Sequence, residues 1–472
     1  MTERQVYLLS PKKLSPEVIA VTFAKTSRSP LTFREIADEL SDESSAEFHE
    51  KWVVGYGHAS VAEHAVLHIA IENISRMAIE SIESNRLASY TEKSTRYQKW
   101  DADAFVVPPE LDDHPLREEY ESAVRMLFKT YAESLAPTRA LIMERNPRRP
   151  NESDQAWDRR IRSRYVDACR FLLPAASLAN VGMTANARVL ESAIRKMLSH
   201  PLEEVRQVGE QIKAVAQNEV PTLVKYADSA PYQVETEKDF TRRGAAGGTP
   251  ANKKFCQLID HDPEGENKIL AAVLYRFGEM PYQQALETVR NQTDSERARL
   301  AESLLGRLSR HDIPLREMEY SAYAFDLVMD QGAYFEFKRH RMMTQTPQAL
   351  TVNLGYAVPS LITEAGFGSA YEAAMESAAK AYQKLAAFNP HIAGYLVPNG
   401  FNRRVLCTFN LREAYHFCQL RAASNAHFSI RRVALTIYEE IARVHPLLSK
   451  YMRISKSETW QGITEKHFTA VE

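Results

Sequence analysis

Hydrophobic positions fall into short apolar runs separated by long stretches with helical spacing. Val6-Tyr7-Leu8-Leu9 gives a short strand signal, and a Pro-punctuated loop then leads into a helix through Pro16 to Lys25. Ser29-Pro30 breaks that pattern, and Thr32 with Glu35 three residues on predicts a capping box for a helix over Phe33 to Leu40. Val66 to Arg76 mixes β-branched and other apolar residues and fits either a buried strand or a packed helix. Met77 to Arg86 is helical in type and delivers Arg86 to a polar loop, Ala88 to Arg96. Long helical patterns run from Asn186 to Tyr226, and a second apolar run from Tyr320 to Phe337. Helices follow over Leu411 to Val444, and a polar tail over Thr459 to Glu472.

Two interruptions stand out. From about 116 to 164 the pattern turns charged and helical, with Arg139, Arg145, Arg159, Arg160 and Arg162 set against Glu118, Glu119, Glu121 and Glu133. It reads as a helical insertion whose ion-paired face contributes little stability per pair. Residues 233–254 are rich in Gly, Thr and charge and read as a linker. The Gly247-Gly248 pair there lacks the Gly-x-Gly-x-x-Gly spacing of a dinucleotide loop.

The two apolar halves are copies of each other. With Arg86 set on Arg341, Asn186-Ala187-Arg188 corresponds to Asn410-Leu411-Arg412, and Glu204-Val205-Arg206 to Ser429-Ile430-Arg431. Phe255 to His261 echoes Val6 to Ser10. An internal duplication follows, with a first copy at 1–232, the linker, and a second copy at 255–472.

Composition narrows the function. The 472 residues carry 59 Lys+Arg against 61 Asp+Glu, so any anion site is local, and neither a nucleic-acid coat nor a polybasic membrane binder is expected. The start lacks a signal-like apolar region and no apolar run approaches the roughly 20 residues of a membrane span, so a cytoplasmic protein is expected. Cys169, Cys256, Cys407 and Cys418 show no zinc spacing and read as buried thiols. Glu63-His64-Ala65-Val66-Leu67-His68 has the glutamate on the wrong side of the first histidine for a zincin helix, and His68 reads as a satisfied core histidine.

The densest chemistry is Arg339-His340-Arg341, two guanidinium forks around an imidazole, suited to phosphate or carboxylate oxygens. Taken with Gly57-His58-x-Ser60-x-x-Glu63-His64, Arg86-Leu87-Ala88-Ser89-x-x-Glu92-x-Ser94-Thr95-Arg96-Tyr97, Asn410-x-Arg412 and Leu420-Arg421-x-x-x-Asn425-Ala426-x-x-x-Ile430-Arg431, it resembles the flavin-dependent thymidylate synthase family. That family's hallmark is Arg-His-Arg, seven residues, then Ser-x-Arg. Each copy holds half of it. In the first, Ser84 and Asn85 replace the leading Arg and His, while Arg86, Glu92, Ser94 and Arg96 remain. In the second, Arg339, His340 and Arg341 are intact, but Ala349 and Thr351 replace the Ser and Arg.

The resemblance implies an α+β fold, two tandem copies each with a mixed sheet and long packed helices. It also implies sites built between copies, here one whole site and an empty reciprocal one. Ser94, Arg96, Arg188 and Arg339 would bind a pyrimidine nucleotide. Arg339, His340, Arg341, Glu92, Asn425 and His64 would bind FAD, and Arg431 would stabilise negative charge on the pyrimidine. NADPH and methylenetetrahydrofolate would be co-substrates for methylation at C5, with dUMP the first candidate, and a homodimer would imitate the family's tetramer. Arg412, Arg206 and His200 read as structural. Glu336 stands where the family has an uncharged Gln, which leaves the nucleotide open. The alternative is a catalytically silent flavin- or nucleotide-binding homologue with a regulatory or assembly role.

Overall fold

The computed structural model describes residues 4–244, 254–455 and 457–471. In the first copy, α1 (Pro16–Lys25) precedes β1 (Val66–Ser75), α2 (Arg76–Glu83) and β2 (Ser89–Glu92). Then come α3 (Arg117–Arg145), α4 (Asp154–Cys169), β3 (Leu178–Asn186), α5 (Ala187–Leu198) and α6 (Glu203–Gln217). The region left undecided at Val66 is a strand, in which Asn73 takes a left-handed φ of 56° at a bulge and its amide donates to Asn180 Oδ1 at 3.0 Å. Ser75 ends the strand and caps α2, its hydroxyl accepting from the Ala78 amide at 2.9 Å.

Helix α7 (Pro231–Gly244) occupies the first half of the expected linker without burying a residue, and the Gly247-Gly248 pair lies outside the described residues. The second copy has β4 (Cys256–His261), α8 (Gly265–Phe277), β5 (Ala322–Asp330), α9 (Gln331–Phe337), β6 (Thr344–Pro347) and β7 (Ala357–Pro359). It continues with α10 (Gly368–Phe388), β8 (Asn402–Asn410), α11 (Leu411–Arg421), α12 (Phe428–Val444), α13 (Trp460–His467) and β9 (Phe468–Val471).

The sheets run in the order β1-β3-β2 and β4-β5-β8-β6, so the α+β class and the tandem repeat are what the structure shows. Registers match as well: Val66 sits opposite Asn186, and Ala322 opposite Asn410. Where mixed sheets are expected, every described strand pair is antiparallel.

Other expectations need correcting. Residues 6–9 form no strand, and Val6 and Leu8 are more than 90% exposed. Local β propensity without a paired edge did not suffice there, whereas β4 in the second copy pairs with β5. The polar tail is helix α13 and strand β9, because Thr459 caps the helix while Ile463 and Phe468 are buried. His68 is exposed on β1, its Nδ1 2.9 Å from Thr184 Oγ1, since its strand position faces outward. Cys169, Cys407 and Cys418 are buried, while Cys256 is partly exposed. In the charged region, α3 has a counterpart in α10, against which it packs; α4 is matched only by the single turn Pro390–Ala393.

The copies share one core. The larger apolar cluster joins Leu67, Ile79 and Leu190 of the first copy to Tyr371, Leu385 and Phe401 of the second. Residues 171–176 and 395–400 run antiparallel across the pseudo-twofold: Ala176 N donates to Tyr395 O at 2.8 Å, and Gly400 N to Phe171 O at 2.9 Å. Pro174 bridges to Pro398 on the same seam. Among the described residues no helix is long and apolar enough to cross a membrane.

Candidate active site

The basic triplet follows α9, which Asp330 caps by accepting from the Ala333 amide at 2.8 Å. The helix stops at Phe337, and the next four residues diverge. Lys338 pairs with Glu83 of the first copy at 2.7 Å. Arg339, half exposed, reaches Glu92 Oε2 at 3.3 Å, while the other Glu92 oxygen meets the buried Arg76 at 2.8 Å. His340 turns back into its own copy, with Nδ1 2.9 Å from Glu413 Oε1, and Arg421 Nε donates to its Nε2 at 3.0 Å. Because Arg421 claims Nε2 as acceptor, the neutral ring carries its proton on Nδ1 and donates it to Glu413. Burial first, and then the Arg421 charge, push the imidazole down to about 2; burial pushes Glu413 up to about 7. Arg341 points elsewhere, its guanidinium carbon 5.9 Å from the centre of the Tyr90 ring.

Beside this lies a buried relay of charges that crosses the copies. Glu336 is held between Arg170 of the first copy at 3.4 Å and Arg421 of the second at 3.1 Å. Arg170 also donates to Thr95 Oγ1 at 3.2 Å. The loop after β2 then brings Arg96 onto Asp167 in a two-pronged pair of 2.9 and 2.8 Å, with further bonds of 3.3 Å to the Asn425 carbonyl of the second copy. Burial works against the Arg96 charge, but Asp167 more than restores it. Ser94 stays local and accepts from the Arg96 amide at 3.2 Å.

Two large cavities lie between the copies. The first, about 800 Å³, is lined by Arg96, Arg164, Asp167, Asn425, Arg431 and Lys466, among others. In it Arg431 pairs with Glu458 of the segment before α13, while its buried Nε has no hydrogen-bond partner among the described residues. Burial pushes the Arg431 pKa down. The second cavity, about 750 Å³, is the reciprocal pairing, where Ser84 and Arg86 face Ala349 and Thr351.

The structure thus brings together Arg96, Asn425 and Arg431 in one cavity, and Arg339 with Glu92 on the same inter-copy seam. It does not bring Arg341 there, since Arg341 and one edge of His340 line the second cavity. Nor does it bring Arg188, which pairs with Glu63 on the outer face of the first copy, or His64, which lines a separate cleft with Phe23, Trp52 and His58. Arg412 pairs with Glu319 at 2.8 Å, and Arg206 bonds the carbonyls of His200 and Pro201, so each is held within its own copy.

Sequence reasoning missed Arg170, Asp167 and Glu458. The available signal for Arg170 was the repeat of its Phe-Leu-Leu-Pro sequel as Tyr395-Leu396-Val397-Pro398 in the second copy. Asp167 and Glu458 carry no such signal.

Comparison with known proteins agrees with this duplicated arrangement. The family model described as thymidylate synthase complementing protein matches the chain twice, over residues 9–222 and 257–447. A UPF0159 protein of Chlamydia muridarum is 30% identical, the match covering 95% of this chain and 92% of that protein. A UPF0159 protein of Thermoplasma acidophilum is 28% identical over 87% of this chain and 89% of its own length. A flavin-dependent thymidylate synthase of Clostridium tetani is 26% identical and covers 45% of this chain but 82% of itself, the proportion expected when one relative corresponds to one copy. With both copies matched and nearly the whole chain between them, the protein belongs to the thymidylate synthase complementing protein family.

Proposed function

We propose that the chain is a flavin-dependent, cytoplasmic enzyme that methylates C5 of a pyrimidine nucleotide, dUMP foremost, at the cavity shared by Arg96, Asn425 and Arg431. The observation that carries this reading is the joining of Arg96 from one copy with Asn425 and Arg431 from the other in one space of about 800 Å³, large enough for a base beside a flavin ring.

Arg96, which lines that cavity, is the donor suited to a nucleotide phosphate, and Arg339, paired with Glu92 on the same inter-copy seam, is the second candidate. Arg431, its Nε unpartnered, stabilises negative charge as it develops on the pyrimidine ring, so that C5 attacks the one-carbon unit and then loses its proton. For FAD the residues fit: Arg164 and Lys466 line the cavity without a carboxylate partner among the described residues, and Asn425 supplies an amide. When bound, reduced flavin supplies the hydride that turns a methylenetetrahydrofolate-derived carbon into a methyl group, NADPH being the electron source. His340 positions Arg421 rather than touching the ligand. Arg188 and His64, on the outer face, fit a role at the contact with a second chain, in a homodimer that forms a pseudotetramer.

One observation favours the second reading, a silent binding protein: both Arg96 and Arg431 already hold carboxylates, Asp167 and Glu458. The test is NADPH-dependent incorporation of deuterium or a labelled methyl group into dUMP and UMP by flavin-loaded protein. Incorporation supports the enzyme. A protein that binds flavin or nucleotide but incorporates nothing with any folate is the silent homologue, and one that binds neither overturns both.

A further inference from the structure

The reciprocal cavity has lost the residues that make the first one, yet it has not become inert. At the positions of Glu92, Ser94 and Arg96 it carries Pro347, Ala349 and Thr351. Gly394 stands where Arg170 stands, and Met77 Cε lies 2.8 Å from where a Cβ would be, so a larger side chain there would displace Met77. What it keeps is a different set of cations. Five (Arg86, Lys196, Lys338, Arg341 and Arg403) line it against three carboxylates, Glu80, Glu83 and Glu237.

The pairing is uneven. Glu80 is engaged by Arg403 and Gln331, and Glu83 by Lys338. Glu237 comes from the exposed helix α7. That leaves three cations with no carboxylate partner among the described residues. Arg86 donates to the Met343 carbonyl at 3.3 Å, Lys196 to Asn85 Oδ1 at 3.0 Å, and Arg341 has a buried Nη1 with no hydrogen-bond partner among the described residues. Lys196 to Asn85 repeats, in the other copy, the contact of Arg421 with His340. Burial and then the Arg86 charge lower the Lys196 pKa, as expected when cations converge without a counter-charge. Beyond them the wall is apolar, with Met77, Leu350 and Tyr382.

We infer that this cavity is a second, non-catalytic ligand site for a nucleoside di- or triphosphate, whose phosphates meet Arg86, Lys196 and Arg341 and whose base lies against Leu350 and Tyr382. A chain of phosphates answers three convergent cations better than one phosphate does. The flat base matches the apolar half of the cleft. This inference does not depend on the chemistry of the first cavity.

The test uses the full chain and inorganic tripolyphosphate followed by titration calorimetry, with the Arg86→Ala/Lys196→Ala variant beside the wild type. Removing two charge-assisted partners is expected to weaken tripolyphosphate at least tenfold, since each contributes roughly 1.5–3 kcal/mol and about 1.4 kcal/mol is a factor of ten. Lys196→Gln alone, which keeps length and polarity, covers the case of a double variant that does not fold. Its loss should be at least about threefold. Arg117→Ala, which removes a half-exposed cation outside both cavities, should leave tripolyphosphate binding unchanged. Absence of binding by the wild type at millimolar concentration overturns the inference, as does equal binding by wild type and variants. If the double variant instead loses bound flavin while folding normally, the cleft belongs to the cofactor and the inference also falls. Failure of the first-cavity reading would show only in flavin content and methyl transfer, so the two outcomes are separable.

Discussion

Glu336→Gln should loosen the junction between the copies more than any surface substitution. The Glu336 side chain is 9% exposed and lies between Arg170, 4% exposed, and Arg421, 15% exposed. Burial lowers the Arg421 pKa, and Glu336 is the main charge that opposes it. Removing the carboxylate therefore leaves two buried guanidiniums facing one another, and breaking a buried pair by deleting one partner costs about 3–5 kcal/mol. With roughly 2 °C or more of melting shift per kcal/mol for a large domain, the midpoint should fall by at least about 6 °C. Differential scanning calorimetry reads this directly, with Glu121→Gln, which removes an exposed pair with Arg117, as the control. Replacing Arg421 by Met in the same chain should recover part of the loss, because the stranded charge goes too. A shift no larger than the control's, or losses that simply add in the double variant, would refute the idea that Glu336 neutralises this junction.

Arg339→Ala and Arg96→Ala should each abolish nucleotide binding by calorimetry, with the double change adding little, because groups serving one site are not additive; independent, additive losses would separate the two residues. Glu458→Gln should tighten nucleotide binding about tenfold by releasing Arg431, a gain of roughly 1.4 kcal/mol. The pH dependence of stability should carry the His340 and Glu413 pair. The raised Glu413 stabilises the fold fully below its ordinary value of 4.5, and that contribution is lost as pH rises through about 7; the depressed His340 contributes above its ordinary 6.5 and loses this as pH falls toward about 2. Glu413→Gln should therefore make the melting midpoint at pH 8, relative to pH 5, higher than in the wild type; an unchanged difference would place the carboxyl at its ordinary value.

The sequence carried what is local and repeated. The capping box of Thr32 and Glu35 forms as expected, and so does the twin placement of Asn186 and Asn410 at helix starts, because a short side chain three residues from an amide needs nothing distant. The complementary loss of motif residues was legible for the same reason: it is a comparison of two stretches of one chain. What escaped depends on contacts far apart in sequence. Nothing near Arg96 announces Asp167, and nothing near His340 shows that Arg421 and Glu413 would draw it away from the triplet's other members. Strand Val6 to Leu9 failed because an extended apolar segment becomes a strand only where a neighbour offers an edge.

The seam at Pro174 and Pro398 joins halves that are no longer interchangeable. In an assembly of identical subunits every substitution appears at all equivalent places simultaneously, so no site can drift without dragging its mates along. Once two repeats share a polypeptide and an interior, each position is inherited singly. Arg170 can then persist on one side while glycine closes the other, and two chambers of common ancestry are free to answer different molecules.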